Sequence, residues 1–200
     1  MLHNDLIKSR MEFARAIDNH QYEMTPQGIH FPKQRVFVCG QFDTWVNGEG
    51  HQVDPNVVPT QALNYLLKAG FKNVGGTSSW YIAPFTGNVT PLANLTAALF
   101  TSTLTEFTQY DEATRVAWTL PTDPTTGSFD NTASPAVFTA ASAVGTGAGV
   151  DVYGAGILSV STKSATTGTL ACAAKFNAAR NLKATDKLTV AYTISATSST

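Results

Sequence analysis

Three carboxylates, Glu106, Asp111 and Glu112, are close together in the sequence and could act as a catalytic acid and base. A pair of such groups beside a glycosidic bond is the arrangement that glycoside hydrolases use. Adjacent residues of a β-strand point to opposite faces, however, so Asp111 and Glu112 are poorly placed to converge on one bond. A structural ion pair between Glu112 and Arg115 is the favoured interpretation.

Metal-binding patterns are weak. The chain has no Cys-x-x-Cys motif, and no two of its histidines share one helix face; they are His3, His20, His30 and His51. A calcium loop between Asp43 and Asp54 fails because Trp45 stands where an oxygen ligand is required. The Asn47-Gly48 pair instead predicts a β-hairpin with a tight turn.

Other reactive motifs are also missing from the sequence. No Gly-x-Ser-x-Gly elbow occurs, and the glycine-rich stretch 145–149 lacks the Lys and Ser/Thr of a phosphate loop, so it predicts a mobile loop. Four aromatic residues could stack on a sugar, but their apolar strand contexts favour the core; they are Trp80, Tyr81, Tyr110 and Trp118. The sequence therefore predicts no catalytic residue, no cofactor and no metal ligand.

The two cysteines, Cys39 and Cys172, do not form a disulfide framework. Cys172 falls on the apolar side of its strand, where a thiol behaves as a small hydrophobic group. We expect both thiols to be free, because the chain has the features of a protein made in a reducing compartment.

Composition narrows the class of protein. The formal net charge is −1 and charged residues make up 14% of the chain, so no basic stripe for nucleic acid is expected. No apolar run approaches the roughly 18 residues of a membrane span. The first residues lack the continuous apolar segment of a signal peptide, and synthesis in the cytoplasm is expected.

The C-terminal quarter gives the clearest strand pattern. Apolar residues alternate with others in two runs, which are Leu170, Cys172, Ala174 and Phe176, and then Leu188, Val190, Tyr192 and Ile194. A third run, 152–161, contains Gly154 and Gly156, so a bulge is expected there. Turn-forming residues separate the runs and predict an antiparallel meander, whose buried face needs an opposing layer. An antiparallel β-sandwich is the predicted fold.

The chain is predicted to begin with an amphipathic helix. Asn4 is a good N-cap, and one side of the helix is apolar, with Leu6, Ile7, Met11, Ala14 and Ile17. Residues 21–33 contain helix breakers and predict an extended connector. We expect 1–33 to form an N-terminal helix and arm, and 34–200 to form the sandwich. The apolar stripe must dock on its own domain, on a second copy or on another partner.

Short elements are predicted in the middle of the chain. Thr60 to Ala69 has helical periodicity, with Gly70 as its C-cap and Phe71 as the hydrophobic contact of that cap. A helical turn is expected from Thr90-Pro91 to Ala98. Short strands are predicted on either side of it, around Arg35–Val46, 49–53, 80–83, 106–110, 115–120, 128–131 and 136–140.

Several short motifs follow one another in order along the chain: TQALNYLL (60–67), SWYIA (79–83), TEFTQYDEATRVAW (105–118), NTASPAVF (131–138), TTGTL (166–170) and DKLTV (186–190). In this order the sequence resembles a group of tailed-bacteriophage structural proteins over roughly residues 34–196. Val116 stands where that pattern has Pro, and the first 33 residues have no counterpart. The resemblance implies a jelly-roll-like capsid cement or decoration protein.

The resemblance therefore implies a non-enzymatic virion protein on the capsid surface. Such a protein binds the outside of the assembled capsid and stabilises contacts between major capsid protein subunits. It is expected to form homo-oligomers, dimers or trimers, and to bind neither nucleic acid nor membrane. A tail or fibre component that recognises host glycans is the alternative, and a glycan depolymerase is a third hypothesis.

Overall fold

The computed structural model describes the protein over residues 10–12, 14–15, 22–24, 27–28, 30–32, 36–72, 76–120 and 127–198. The chain divides into two compact units, Met1–Phe37 with Thr197–Thr200, and Val38–Ala196. In the first unit, β1 (Tyr22–Met24) pairs antiparallel with β2 (His30–Pro32). Residues 10–12 and 14–15 are helical, and the rest of the predicted N-terminal helix lies outside the described residues.

The second unit is mainly β and forms an antiparallel β-sandwich, as the alternation predicted. One sheet has the order β10-β9-β5-β6 and consists of β5 (Trp80–Phe85), β6 (Val116–Trp118), β9 (Val150–Leu158) and β10 (Leu170–Leu182). The other sheet has the order β4-β3-β11-β7, and β8 also pairs with β11. Its strands are β3 (Val36–Val46), β4 (Glu49–Pro55), β7 (Ser128–Asp130), β8 (Ala136–Thr139) and β11 (Lys187–Ser198).

Helices complete the described part of this unit. They are α1 (Thr60–Lys72), α2 (Ala97–Leu104) and a short 3-10 helix, Ser142–Val144. None of the described helices is long and apolar enough to cross a bilayer. The 3-10 helix immediately precedes the glycine-rich stretch 145–149.

The main hydrophobic core contains inward-facing side chains of both sheets. Its largest members are Phe42, Ile82, Phe107, Tyr110, Trp118, Phe138, Ile157, Phe176, Leu188 and Tyr192. Cys172 on β10 and Tyr192 on β11 both lie in this core, and the hydroxyl of Tyr192 accepts from Nδ2 of Asn56 at 3.1 Å. Burial of these side chains is the dominant favourable contribution to the stability of the sandwich.

A second core involves α2 and the other face of the four-stranded sheet. Phe85, Phe100 and Leu158 belong to it. Gly156 of β9 makes room for this packing, because a Cβ atom there would lie 2.6 Å from Cε2 of Phe100. A Cβ atom at Gly154 would likewise clash with the ring of Phe85. The glycines of β9 therefore allow two aromatic rings to approach the backbone closely.

The predicted C-terminal meander is wrong. β9 and β10 pair, but β10 and β11 lie in different sheets, with the buried faces of Cys172 and Tyr192 turned towards one another. Alternation identifies the buried face of each strand but not its hydrogen-bonded neighbour. Both strands bury an apolar face, and placing them in opposite sheets lets those faces pack together.

Leu170 was also assigned to the wrong face of its strand. The pairing register of β10 with β9 shifts between Leu170 and Cys172 and again between Lys175 and Arg180. Leu170 consequently packs in the second core with Ala173, whereas Cys172 packs in the main core. The glycines predicted a bulge in β9. The unpaired residues at both register shifts are instead in its partner, β10.

Several local predictions are confirmed and others are wrong. The β3–β4 hairpin turns at Asn47 and Gly48, whose φ angles of 52° and 80° suit a tight hairpin turn. Gly70 does not end α1, which continues to Lys72. The second helix begins at Ala97 and not near Thr90. The stretch 106–110 contributes only isolated bridges, because Glu106 and Tyr110 each pair at a single position.

Candidate functional site

The acid predicted to pair with Arg115 was the wrong one. Arg115 binds Glu106, with Nε 2.8 Å from Oε1 and Nη2 2.7 Å from Oε2, and both side chains are fully buried. This two-point geometry is the strong form of a charge-assisted hydrogen bond. Sequence distance favoured Glu112, but the chain turns back between the two partners and brings Glu106 to Arg115.

The ion pair holds the loop between β9 and β10. Arg115 donates through Nη1 to the carbonyl of Val160 at 2.9 Å, and the backbone N–H of Ser164 donates to Oε2 of Glu106 at 2.9 Å. The backbone N–H of Arg115 also donates to the carbonyl of Ser161 at 2.8 Å. The carboxylate of Glu106 is therefore engaged in fixing a loop.

The other two acids have different surroundings. Both oxygens of Glu112 accept from the backbone N–H of Thr139, at 3.2 and 3.1 Å, and this contact ties the 111–114 turn to β8. Asp111 is exposed. Glu106 and Glu112 are thus each used in a separate structural contact.

Tyr110 lies in the main core next to a cation. Lys163 places Nζ 3.6 Å from the centre of the Tyr110 ring and donates to the Tyr110 carbonyl at 2.8 Å. Burial lowers the pKa of Lys163 and raises the pKa of Tyr110. The Tyr110 ring also packs edge-on against Phe138. The expectation that Tyr110 is a core residue is confirmed.

The remaining aromatic candidates divide into buried and half-buried residues. Trp118 is buried and its Nε1 donates to the carbonyl of Tyr192 at 3.1 Å, as expected for a core tryptophan. Trp80 and Tyr81 are half-buried. The ring of Trp80 packs edge-on against Tyr65 of α1, with 5.3 Å between ring centres.

Histidine and acidic side chains do not form a metal site in the described part of the chain. No group of three His, Cys, Asp or Glu residues there could hold a metal ion. His51 binds Oδ1 of Asp43 at 2.8 Å and stacks on Trp45 at 4.6 Å between ring centres. His3 and His20 lie outside the described residues, as does the side chain of His30.

The two cysteines are free and differ in exposure, with Cys39 exposed and Cys172 buried. Burial raises the pKa of the Cys172 thiol to about 12. A thiol with that pKa is protonated at neutral pH and is a poor nucleophile. Cys172 therefore contributes to packing, as its strand position predicted.

A cavity between α1 and the sandwich has almost entirely apolar walls. Its volume is about 190 Å³, and its described lining is Val58, Ala62, Tyr65, Leu66, Trp80, Trp118, Leu120, Phe129, Ala171 and Ile194. A second depression of about 280 Å³ shares three of these residues and adds Val38, Gly127, Ser195 and Ala196. The shared residues are Leu66, Phe129 and Ile194, so the two form one continuous apolar groove.

One face of α1 extends this groove onto the surface. Leu63, Leu66, Leu67 and Phe71 are 42%, 45%, 58% and 87% exposed. In contrast, only Ala62 of this helix is fully buried. We call these four side chains together with the groove the α1 surface. Contiguous exposed apolar area of this kind is typical of an interaction site.

Helical periodicity predicted α1, but it did not predict that the α1 surface is exposed. The signal was nevertheless present, since the apolar residues of 62–71 cover a wider arc of the helix than one packed face needs. Ala62, Tyr65 and Ala69 face the sandwich side, and the leucines at 63 and 67 lie about 100° or more around the axis.

Comparison with protein-family models, with curated proteins and with solved structures finds no match. Function is therefore argued from the residues of this chain and from its contact surfaces.

Proposed function

We propose that this chain is a non-enzymatic bacteriophage virion protein of the capsid cement or decoration type. It binds the outside of the assembled capsid and stabilises contacts between major capsid protein subunits. The observation that carries the proposal is the ordered set of motifs between 60 and 190, which resembles this class of protein. The motifs fall on α1, β5, β6, β8, β11 and the first residue of β10, and on the loops next to these elements.

The distribution of polar and apolar groups supports a contact function. The buried charges of the described sandwich are used internally, as Glu106 is by Arg115. Asp54 is also buried, and its Oδ1 accepts from the backbone N–H of Asn177 at 2.7 Å. The exposed large apolar side chains, by contrast, include four on the single helix α1. This pattern fits a protein that acts through surfaces.

Polar groups of the two sheets bind one another inside the sandwich, in keeping with a structural role. Arg180 of β10 donates through Nε and Nη2 to the hydroxyl of Thr44 on β3, at 3.0 and 2.9 Å. The Asp54–Asn177 bond makes a second link, from β4 to β10. A protein that binds only the assembled lattice stabilises that state by mass action.

The test is reconstitution on capsids that lack this chain. Purified protein should bind assembled capsids saturably, should not bind unassembled major capsid protein, and should raise the temperature at which the capsids release DNA. The matched control is the same capsid preparation with an unrelated β-sandwich protein of similar size and charge. Cryo-electron microscopy of the decorated particles should place the density on the outer surface.

Two outcomes would reject the proposal. One is the absence of binding to assembled capsids at concentrations well above those expected in an infected cell. The other is localisation of the chain in the tail of intact virions. Tail localisation would favour the alternative, a tail or fibre component, and a glycan array on the purified protein would then test host glycan recognition.

A further inference from the structure

We infer that the α1 surface is the interface of a symmetric homodimer, in which Phe71 of each copy enters the apolar groove of the other copy. The inference is independent of the capsid proposal, because it concerns self-association of the isolated protein. It rests on an exposed aromatic side chain and an open apolar groove that belong to one continuous surface of the unit Val38–Ala196.

Phe71 is the projecting part of this surface. Its side chain is 87% exposed, which is the largest exposed fraction among the exposed large apolar residues of the described chain. The sequence predicted that Phe71 would pack as the hydrophobic contact of a glycine C-cap, but α1 continues to Lys72 and the ring stays in solvent. Burial of an aromatic side chain removes about 150–250 Å² from water. Phe71 therefore gains a large stabilisation when a second surface covers it.

The groove is the receiving part of the surface. Its two depressions, of about 190 and 280 Å³, share Leu66, Phe129 and Ile194 and have mainly apolar walls. An apolar cavity of about 150 Å³ is enough to hold a benzene molecule, so the groove has room for a phenylalanine ring. Phe71 is not among the described residues that line the groove of its own copy. The ring that fits this groove can therefore come from a second copy.

The positions of the projection and the groove favour a twofold pair. Leu66 lines the groove, and Leu63, Leu67 and Phe71 follow it in steps of roughly 40–60° round the helix axis. The two leucines thus lie between the groove and Phe71. When two such surfaces meet across a twofold axis near these leucines, Phe71 of each copy meets the groove of the other, and both contacts form at once. A ring or a filament would instead need the projection and the groove on different faces.

The lysines of α1 determine how this dimer should respond to salt. Lys68 and Lys72 are exposed, and each follows a residue of the apolar row by one position, about 100° further round the axis. They therefore border the interface and remain in solvent. Because α1 has no acidic residue, the lysines of two copies repel each other, and salt screens this repulsion. The dimer should tighten as the salt concentration rises, whereas a partner that places carboxylates opposite these lysines should dissociate.

The uncovered area matches what a stable dimer needs. At roughly 200 Å² for a large apolar side chain, the exposed fractions of the four α1 residues leave on the order of 400 Å² uncovered on each copy. A standard interface buries about 800 Å² per partner, and about 65% of a homodimer interface is apolar. The four side chains together with the groove walls supply that apolar share. A second copy can therefore cover the α1 surface as a whole.

The first experiment measures self-association of the full chain by analytical ultracentrifugation. The wild type should be dimeric, and Phe71→Glu and Leu67→Glu should each weaken the dimer about tenfold or more, because each places a charge in an apolar contact. Leu92→Glu is the matched control, since Leu92 is 65% exposed and lies outside the α1 surface. It should leave the dimer unchanged. Circular dichroism checks that each variant remains folded, and a salt titration of the wild type measures the screening effect.

The second experiment tests whether the contact is reciprocal. Phe71→Glu removes the projection and keeps the groove, whereas Ala196→Phe keeps the projection and fills the groove, because Ala196 is part of the groove lining. Each variant alone should dimerise weakly. A mixture of ¹⁴N-labelled Phe71→Glu and ¹⁵N-labelled Ala196→Phe can form one intact contact, so its heterodimer should be about tenfold tighter than either homodimer. Native mass spectrometry distinguishes the three dimers by mass.

Four results would each overturn the inference. They are a wild-type chain that is monomeric at about 100 μM, a dimer that neither Phe71→Glu nor Leu67→Glu weakens, a dimer that dissociates as salt is added, and a mixture whose heterodimer is no tighter than the homodimers. A monomeric chain whose capsid binding is lost in Phe71→Glu would assign the α1 surface to a capsid partner. A normal dimer that does not bind capsids would reject only the proposed function.

Discussion

The guanidinium of Arg115 and the carboxylate of Glu106 face each other through two hydrogen bonds, and neither side chain has any exposed surface. Breaking a buried pair leaves one charge without a partner in a medium that solvates it poorly. Arg115→Met should therefore lower the free energy of unfolding by about 3–5 kcal/mol. Urea denaturation monitored by tryptophan fluorescence measures the change.

The double variant Glu106→Leu with Arg115→Met provides the control. It removes both charges, so it should recover a large part of the stability that the single variant loses. Recovery will be incomplete, because the backbone N–H of Ser164 also loses its acceptor. If Arg115→Met were as stable as the wild type, the Glu106–Arg115 ion pair would not contribute to the stability of the fold.

Packing of α2 on the sheet depends on a missing side chain at Gly156. Alanine there would place its Cβ atom 2.6 Å from Cε2 of Phe100, so the aromatic ring would have to move. We expect Gly156→Ala to cost about 1–3 kcal/mol of unfolding free energy, measured by thermal and urea denaturation.

Gly147→Ala is the matched glycine control, because a Cβ atom at Gly147 meets nothing within 4 Å. That variant should be close to the wild type in stability. Phe100→Leu should partly rescue Gly156→Ala, since the smaller side chain gives the new methyl group room. A Gly156→Ala protein of unchanged stability would show that the ring is not tightly held.

The two thiols should differ sharply in reactivity. Burial raises the pKa of Cys172 to about 12, whereas Cys39 is exposed. At pH 8 the native protein should take up one equivalent of a maleimide and the denatured protein two, as counted by mass spectrometry. Cys39→Ser should take up none in the native state. Rapid native modification of Cys172 would mean that the core around it opens readily.

The carboxylate of Asp186 should stabilise the folded protein at neutral pH, and this stabilisation should be lost at acidic pH. Its carboxylate accepts from Nδ2 of Asn47 and from the backbone N–H of Lys183, each at 2.8 Å, and these bonds lower its pKa below the usual value of 3.8. A depressed pKa means that the contribution is fully present above about pH 4 and is lost as the pH falls through the folded-state pKa.

The wild type should therefore lose more stability between pH 5 and pH 3 than Asp186→Asn does. The group is near the surface, so the difference should stay below about 1 kcal/mol. Urea denaturation at both pH values measures it, with Asp111→Asn as the exposed aspartate control. An identical pH dependence of the wild type and Asp186→Asn would exclude this contribution.

Local patterns predicted those features that depend on few neighbours. The Asn47-Gly48 hairpin is confirmed because its turn requires positive φ angles that these residue types adopt at low cost. The buried faces of Cys172 and Tyr192 follow from a period of two along a strand. The sandwich follows in turn, because a sheet with one apolar face needs a second layer.

The same patterns failed wherever a distant partner decided the outcome. The partner of Arg115 is Glu106 and not Glu112, because the path of the chain between β5 and β9 sets which acid is nearby. The register shift between Leu170 and Cys172 moves Leu170 to the opposite face, and no residue at that position signals it. The exposure of the leucines of α1 was likewise not predicted.

By itself the sequence determined a mainly β chain, the hairpin at Asn47-Gly48 and the burial of Cys172. Hydrophobic period and turn chemistry are local properties, and a chain carries them whatever its final fold. Only the tertiary structure decided which sheet receives β10 and β11, which acid meets Arg115, and which half of the apolar surface of α1 stays uncovered. Those outcomes depend on contacts between residues far apart in the chain, and the relative energies of such contacts are fixed only when the whole core is packed.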